Sequence, residues 1–247
     1  MQLPFEQFPA LSALRICRHF FTQRIPGIDV SHDKSEALQR LDAAHREIRN
    51  AIGVGDWPLF TAQQIHGNKI AVACRAVAER RRVDEVGSAL RADRGPRGAV
   101  SLPSYEFPGC DGVITNQRGV ALGVYVADCC ALYIVDPKTP AIGLVHSGRK
   151  GTELAVVTNA VREMIDRFGS DPANMVVQLS PCIRPPHYEV DFAAEIVRQC
   201  RAFEMKEIHD CGVCTASDLD RYYSYRAEKG KTGRMLALIG LNPTATN

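Results

Sequence analysis

A series of short apolar runs between Cys110 and His146 constrains the fold most strongly. The runs are GVIT, GVALGVYVADC, ALYIVD and AIGLVH, and they are separated by Gly, Asn, Pro and Lys residues. Short apolar runs bounded by turn residues are typical of buried β-strands. We therefore predict three or four consecutive strands of a buried sheet in this part of the chain.

Two amphipathic helices are predicted on either side of these strands. Apolar residues recur at steps of three and four over residues 38–52, with Ser35 as a candidate cap and Gly53 as a stop. The same spacing runs over residues 154–168, after which Gly169 ends the pattern. This periodicity places the apolar side chains on one face of each helix.

Further patterns complete a mixed α/β or α+β fold, which we predict to form one domain over residues 1–247. Alternating residues at 70–74 predict a strand directly after QQIHG, the segments MVVQLS and RMLALIGL predict two more, and residues 192–203 predict a helix. By contrast, residues 79–98 are rich in charge, Gly and Pro, and we interpret them as a solvated surface excursion.

Composition excludes several classes of protein. A net charge of +2 over 247 residues gives no broad basic field for nucleic-acid binding. The longest apolar stretch is stopped by Asp128, and the N-terminal residues lack the layout of a signal peptide, so we expect neither a membrane span nor secretion. Nine cysteines, an odd number, do not indicate a disulfide framework, and we expect a cytoplasmic location.

Three metal-capable side chains lie near expected turns or strand ends. They are His66 in QQIHG, Cys129 in VADCC and His146 in GLVHSGRKG. Two imidazoles and one thiolate suit Zn²⁺ in a tetrahedral field and leave a fourth position for water or substrate. The local pattern alone leaves open a buried thiol and two hydrogen-bonded imidazoles without a metal.

The ordered set of motifs QQIHG, CDGVIT, GVALGVYVADC, VHSGRKG, SPCI with HYEVD, and CT with YSYR and KTGR resembles the YfiH/YlmD family. These proteins, once called multicopper polyphenol oxidases or laccase-domain proteins, are regarded as zinc purine nucleoside enzymes. The resemblance covers residues from about Phe20 to Leu241. It implies that His66, Cys129 and His146 are zinc ligands. It also implies a layered sandwich of mixed β-sheets flanked by helices, similar to the catalytic domain of cytotoxic necrotizing factor.

The family resemblance further implies phosphorolysis of purine nucleosides, including methylthioadenosine, together with adenosine deamination. Zinc promotes the ionisation of water, the nucleophile that deamination of adenine requires. Phosphorolysis needs phosphate held beside C1′ of the ribose by cations. The candidate cations, each also interpretable as a surface or salt-bridging residue, are Arg24, Arg149, Lys150, Arg226 and Arg234.

The groups that move protons are less evident in the sequence. Zinc deaminases of the cytidine type carry Glu two residues after the ligand His, and here that position is Asn68. Asp128 is a candidate catalytic residue only if the strand ends or bulges there, because neighbours on an extended strand point to opposite faces. Gln64 and Asp111 are candidate pocket residues or turn-stabilising ones. The aromatic residues Tyr222, Tyr223 and Tyr225 are candidates to stack a purine ring, or else to pack at a sheet edge.

One loop departs from the family pattern. The family usually has HAGWRG where this chain has HSGRKG, so that Ser147, Arg149 and Lys150 replace Ala, Trp and Arg. An aromatic side chain is lost and charge is gained beside His146. The expected partners remain small-molecule nucleosides and phosphate, while the sequence does not determine the oligomeric state.

Three alternatives remain at this point. A copper laccase is disfavoured because the chain has seven His and no HxH motif. A cysteine hydrolase or deamidase would use Cys129 as nucleophile and His146 as base. A zinc-stabilised binding protein would have no activity. His66 favours a metal site, because a Cys/His dyad does not require it.

Overall fold

The structure is a computed structural model that describes residues 3–74 and 104–244. The predicted surface excursion at 79–98 lies outside the described residues. The helices are α1 (Pro9–Ala13), α2 (Lys34–Ala51), α3 (Arg149–Glu153), α4 (Val156–Phe168) and α5 (Phe192–Arg201). The strands are β1 (Phe5–Glu6), β2 (Cys17–Thr22), β3 (Leu59–Ala62), β4 (Ile70–Val72), β5 (Ser104–Phe107), β6 (Gly112–Thr115), β7 (Ala121–Val126), β8 (Cys130–Asp136), β9 (Ala141–Ser147), β10 (Val176–Leu179), β11 (Glu207–Asp210) and β12 (Met235–Leu241).

The strands form two mixed sheets. The first has the order β1-β2-β12-β7-β3-β5, and the second has the order β11-β10-β8-β9-β6-β4. In the first sheet β3 is parallel to β5 and β7, and β12 is antiparallel to β2 and β7. In the second sheet β8, β9 and β6 form an antiparallel series, with β4 parallel to β6 at one edge. The predicted mixed α/β fold is confirmed.

The second sheet is buried on both faces. On one face Tyr133 and Leu144 belong to a core cluster shared with the first sheet. On the opposite face Leu132 and Val145 pack in a cluster with α4 and α5, represented by Met164 and Ile196. This double burial explains the near-continuous apolar runs of β8 and β9, because neither face is available to polar side chains.

Helix α2 follows the predicted period, although its cap differs from the prediction. Leu41 and Ile48 are fully buried on the apolar face. Ser35 was a candidate cap, but the cap is Asp33, whose carboxylate accepts a hydrogen bond from the Glu36 amide. Gly53 has a φ of +71° directly after the helix, a conformation that glycine adopts without steric cost.

Helix α4 is shorter at its start than the predicted pattern, because Leu154 precedes it and is exposed. It ends at Gly169, which adopts the left-handed conformation with a φ of +69°, as the predicted stop requires. Within the described ranges, none of the helices has the length and apolar character needed to cross a bilayer.

Two connections cross from the first sheet to the second at the same end of the sandwich. One joins β3 to β4 and contains His66, and the other joins β7 to β8 and contains Cys129. His146 is the penultimate residue of β9, just before the chain leaves the second sheet for α3. The topology thus brings together three residues that are far apart in sequence.

Candidate metal centre

The side chains of His66, Cys129 and His146 converge at this end of the sandwich. One potential ligand atom from each lies within 4.8 Å of the other two. The His66 Nε2 atom is 3.9 Å from the Cys129 Sγ atom, and the two imidazole centroids are 4.9 Å apart at an angle of 76°. Donors at these separations can approach one central ion with small side-chain adjustments.

Left-handed backbone conformations orient the two crossing connections. Gln64, His66 and Asp128 have φ values of 64°, 61° and 83°. Conformations of this kind are uncommon for residues other than glycine and cluster at functional sites. At Asp128 the turn reverses the strand alternation, so that the side chains of Asp128 and Cys129 face one cavity. Strand β7 ends at Val126, before Asp128. A strand end at this point is what a catalytic role of Asp128 requires.

The Gln64 side chain fastens the first crossing connection to β7. Its Nε2 atom donates to the Tyr125 carbonyl at 2.6 Å, and its Oε1 atom accepts from the Tyr125 amide at 3.0 Å. The amide group thus replaces a neighbouring strand for one residue of β7. This pairing fixes the connection that carries His66 against the strand that leads to Cys129.

The Asp111 carboxylate positions both histidines through hydrogen bonds. Its side chain is fully buried, and its Oδ1 atom lies 3.0 Å from the His146 Nδ1 atom. The same carboxylate accepts hydrogen bonds from the backbone amides of His66 at 2.8 Å and Gly67 at 2.7 Å. A carboxylate on Nδ1 leaves Nε2 as the free nitrogen of His146 and orients the ring, as metal-bound histidines require.

The cysteine and histidine of the cluster stabilise each other's charged forms. Burial opposes ionisation of the Cys129 thiol, but the neighbouring His146 and His66 outweigh it and lower the pKa to about 6. Burial likewise disfavours the His146 imidazolium, but Cys129 and Asp111 outweigh it and raise the pKa to about 9. A thiolate is the form of cysteine that binds metals and acts as a nucleophile.

Gly148 makes room for the cysteine sulfur. A Cβ atom at this position would lie 2.5 Å from Cys129 Sγ and 3.8 Å from His66 Cδ2. No real Cβ approaches a sulfur so closely, so glycine is required by close approach rather than by backbone conformation. The HSGRKG loop therefore keeps its first glycine although other positions depart from the family pattern.

The cluster opens into a cavity of about 630 Å³. This volume lies within the range of roughly 300–1,000 Å³ that is usual for small-molecule sites. The wall combines the three metal-capable residues with apolar and cationic side chains. Its other residues are Lys34, Gln64, Tyr125, Ala127, Asp128, Ile183, Tyr188, Phe192, Tyr225, Arg226, Lys229, Gly230 and Arg234.

Five of the other candidate site residues line this cavity, namely Gln64, Asp128, Tyr225, Arg226 and Arg234. Tyr222 and Tyr223 are instead fully buried and do not line it. The Asp128 carboxylate accepts from the Thr215 hydroxyl at 2.7 Å and from the Arg226 amide at 2.7 Å. The Arg226 guanidinium lies over the Tyr188 ring.

The remaining candidates do not line the cavity. Arg24 is bound by Glu228 at 2.8 Å and lies over the Tyr223 ring. Arg149 pairs with Glu153, and Lys150 is exposed on α3. Asp111, a candidate pocket residue in the sequence, is instead enclosed behind His146 by its hydrogen bonds.

Sequence patterns did not indicate two further features of the cavity. Lys34 lies at the start of α2, and nothing in the sequence connects that helix with the metal-capable residues. Tyr188 and Phe192, whose rings meet edge to face at 6.1 Å, form an apolar wall with Ile183. The segment HYEVD carried a family resemblance, but its residue types did not show which side chains face inward.

A family profile described as multi-copper polyphenol oxidoreductase laccase matches residues 19–205 and 190–242. The chain belongs to this family. Although this laccase family is named for several coppers, the described parts of the chain bring together one group of three potential ligands, His66, Cys129 and His146. This finding agrees with the histidine count, which disfavours a multicopper arrangement.

Curated relatives of this laccase-family chain carry the name purine nucleoside phosphorylase. YlmD of Bacillus subtilis is 28 % identical over 189 residues, which cover 64 % of this chain and 67 % of the relative. Cgl2154/cg2365 of Corynebacterium glutamicum is 25 % identical over 261 residues, which cover 92 % and 95 % of the two chains.

Solved structures confirm the predicted layered fold. The structure of YlmD from Geobacillus stearothermophilus has a TM-score of 0.76 at 20 % identity and covers 98 % of this chain and 100 % of its own. The structure of YfiH from Bacillus licheniformis has a TM-score of 0.70 at 19 % identity and covers 92 % and 93 %. The predicted resemblance to the YfiH/YlmD family is also confirmed.

Proposed function

We propose that this protein is a zinc-dependent purine nucleoside phosphorylase that also deaminates adenosine. The observation that carries the proposal is the convergence of His66, Cys129 and His146 on one wall of the cavity. The curated relatives named purine nucleoside phosphorylases support the reaction class. The proposed substrates are adenosine, inosine, guanosine and methylthioadenosine, with phosphate as the second substrate.

The donor set fits zinc. Two imidazole nitrogens and a thiolate sulfur are ligands that Zn²⁺ binds tetrahedrally, and Asp111 supplies the outer hydrogen bond to His146. His66, Cys129 and His146 would hold the ion. When bound, zinc supplies a Lewis acid that stabilises developing negative charge on a substrate.

The chain's own residues divide the cavity into two regions. Ile183, Tyr188 and Phe192 offer an apolar wall for a purine base, and aromatic side chains stack well on flat rings. Arg234 and Arg226 are the two candidate cations that line the cavity and supply positive charge for phosphate, and Arg226 shares its charge with Glu189. Asp128 precedes Cys129 in the wall and accepts a hydrogen bond from the Arg226 amide, and it is our candidate for proton transfer to the leaving base or to the amine of adenosine.

The experiment is a product assay on zinc-loaded protein. We expect free base and pentose 1-phosphate from the four nucleosides when phosphate is present, and inosine from adenosine when it is absent. A Cys129→Ser variant should lose both activities, whereas Cys211→Ser should keep them because Cys211 is exposed outside the cavity. Failure of zinc-loaded wild-type protein to convert any nucleoside would contradict the proposal and favour a binding role.

A second candidate function is supported by a specific arrangement. Asp111, His146 and Cys129 form a carboxylate, imidazole and thiol series, and the pKa of Cys129 is lowered to about 6. This series is suited to a cysteine hydrolase or deamidase, in which Cys129 attacks and His146 transfers the proton.

Metal content separates the two functions. About one zinc per chain in protein purified without chelator, lost in His66→Ala, supports the metalloenzyme. Metal-free active protein that is inactivated by one equivalent of iodoacetamide at Cys129 supports the hydrolase.

The free thiol state of all nine cysteines agrees with the cytoplasmic location that we propose.

A further inference from the structure

Three of the five cations that the sequence offers for phosphate already have acidic partners. Arg24 pairs with Glu228 at 2.8 Å, and Arg226 pairs with Glu189 at 3.2 Å. Arg149 pairs with Glu153 at 2.9 Å. Much of the charge on these side chains is therefore compensated within the protein before any substrate binds.

Arg234 differs because it is buried without an acidic partner. The residue is 9 % exposed, and no ion pair to it occurs within residues 3–74 and 104–244. Its Nη1 atom donates to the carbonyls of Thr232 and Gly233, both at 2.8 Å. These bonds fix one edge of the guanidinium but place no carboxylate in an ion pair with it, which is costly at a buried position.

Lys34 provides a second such charge in the same cavity. It is the first residue of α2, lines the cavity and has no ion pair in the described parts of the chain. Its neighbour Asp33 is occupied by the Glu36 amide as the helix cap. Burial and the charge of Arg234 lower the pKa of Lys34, and the charges of Glu106 and Asp111 oppose this in part.

We infer that Lys34 and Arg234 together bind the phosphate that serves as the second substrate, so that Lys34 is a specificity-determining residue of this chain. The inference rests on the proposed function. Two cations that repel each other in the free protein gain most when a dianion binds between them. The planar guanidinium can bind two phosphate oxygens, and the ammonium supplies a mobile point charge.

The position of Lys34 also explains how phosphate could be retained near the metal centre. Arg234 lines the same cavity as Cys129 and Asp128, so an anion bound to Arg234 lies in the cavity into which the metal-capable residues open. Lys34 reaches the same cavity from the start of α2, whereas the three potential metal ligands lie in the two crossing connections and in β9. A loss of phosphate affinity can therefore be produced at Lys34 without disturbing the metal centre.

The test measures binding of inorganic phosphate directly and through turnover. In Lys34→Met, we expect the Kd for phosphate from calorimetry and the KM for phosphate each to rise about tenfold or more. The KM for inosine and the zinc content should stay within about twofold of wild type. Lys34→Arg should restore most of the affinity, and Lys138→Met, which removes an exposed lysine in the β8–β9 turn, should behave as wild type.

The result separates this inference from the proposed function. Phosphate binding that depends on Lys34 without nucleoside turnover would uphold the anion site and remove the proposed activity. Phosphorolysis with an unchanged phosphate KM in both Lys34→Met and Lys34→Gln would uphold the activity and overturn the inference. Calorimetry on zinc-loaded and zinc-free protein shows whether phosphate binds these side chains or the metal alone, and the latter result would also overturn it.

Discussion

The His146 imidazole and the Asp111 carboxylate lie 3.0 Å apart, and neither side chain is more than 5 % exposed. Because the carboxylate binds Nδ1, the ring is held in the tautomer that directs Nε2 towards the metal centre. Asp111 also accepts from the His66 amide, so one buried carboxylate positions two of the three proposed ligands. The candidate metal centre thus depends on a residue that is not one of its three potential ligands.

Asp111→Asn should weaken zinc binding by about 10–100-fold, because an amide cannot accept from His146, His66 and Gly67 as a carboxylate does. Competition with a zinc indicator measures this affinity. Asp136→Asn is the matched control, since Asp136 is an equally buried carboxylate that accepts from three backbone amides away from the centre. Equal zinc affinities in the two variants would show that Asp111 has only a structural role.

Gly148→Ala should reduce activity by about 100-fold through displacement of the Cys129 sulfur, which a Cβ atom would approach to 2.5 Å. Gly151→Ala on α3 is the control, because its Cβ would make ordinary contacts at 3.4 Å and beyond. Steady-state assays and zinc analysis compare the two variants. Full activity in Gly148→Ala would mean that the sulfur position is not critical.

Asp128→Asn should lower kcat by about 100-fold or more if Asp128 transfers the proton to the leaving base. The amide can still accept from the Thr215 hydroxyl or the Arg226 amide, so the turn should persist. We therefore expect the zinc content and the nucleoside KM to change little. A rise in KM with kcat unchanged would instead indicate that Asp128 only shapes the cavity.

The strands of the second sheet were the most predictable part of the fold. The run GVIT coincides with β6, and AIGLVH lies within β9, because burial on both faces leaves an almost continuous apolar pattern. The helix cap was less predictable. Both Asp33 and Ser35 are good capping residues, and only the path of the preceding chain decides between them.

Motifs indicated the three potential metal ligands and several other cavity residues, whereas Lys34 and the apolar wall of Ile183, Tyr188 and Phe192 were not indicated. The left-handed turn at Asp128 decides that its side chain and that of Cys129 share a wall, and sequence spacing does not reveal a φ of 83° at an aspartate. Lys34 was missed because its position depends on how α2 packs across the first sheet. Residues that meet only through tertiary packing leave no periodic signal.

Stability should fall in mild acid because of His45 on α2. The residue is 3 % exposed, its Nε2 atom has no hydrogen-bond partner among the described residues, and burial lowers its pKa to about 4. The unfolded chain takes up a proton near pH 6.5 and the folded protein only near pH 4. The contribution of neutral His45 to the free energy of unfolding is therefore fully present above about pH 6.5 and is lost as the pH falls towards 4.

This difference corresponds to a loss of about 3 kcal/mol across that interval at a fully buried site. His45→Leu should flatten the pH dependence of the unfolding free energy by about this amount, as measured by urea denaturation at several pH values between 7 and 4. His187→Gln should leave the dependence unchanged, because His187 is exposed in the folded protein. An identical pH slope in His45→Leu and wild type would show that His45 takes up its proton without loss of the fold.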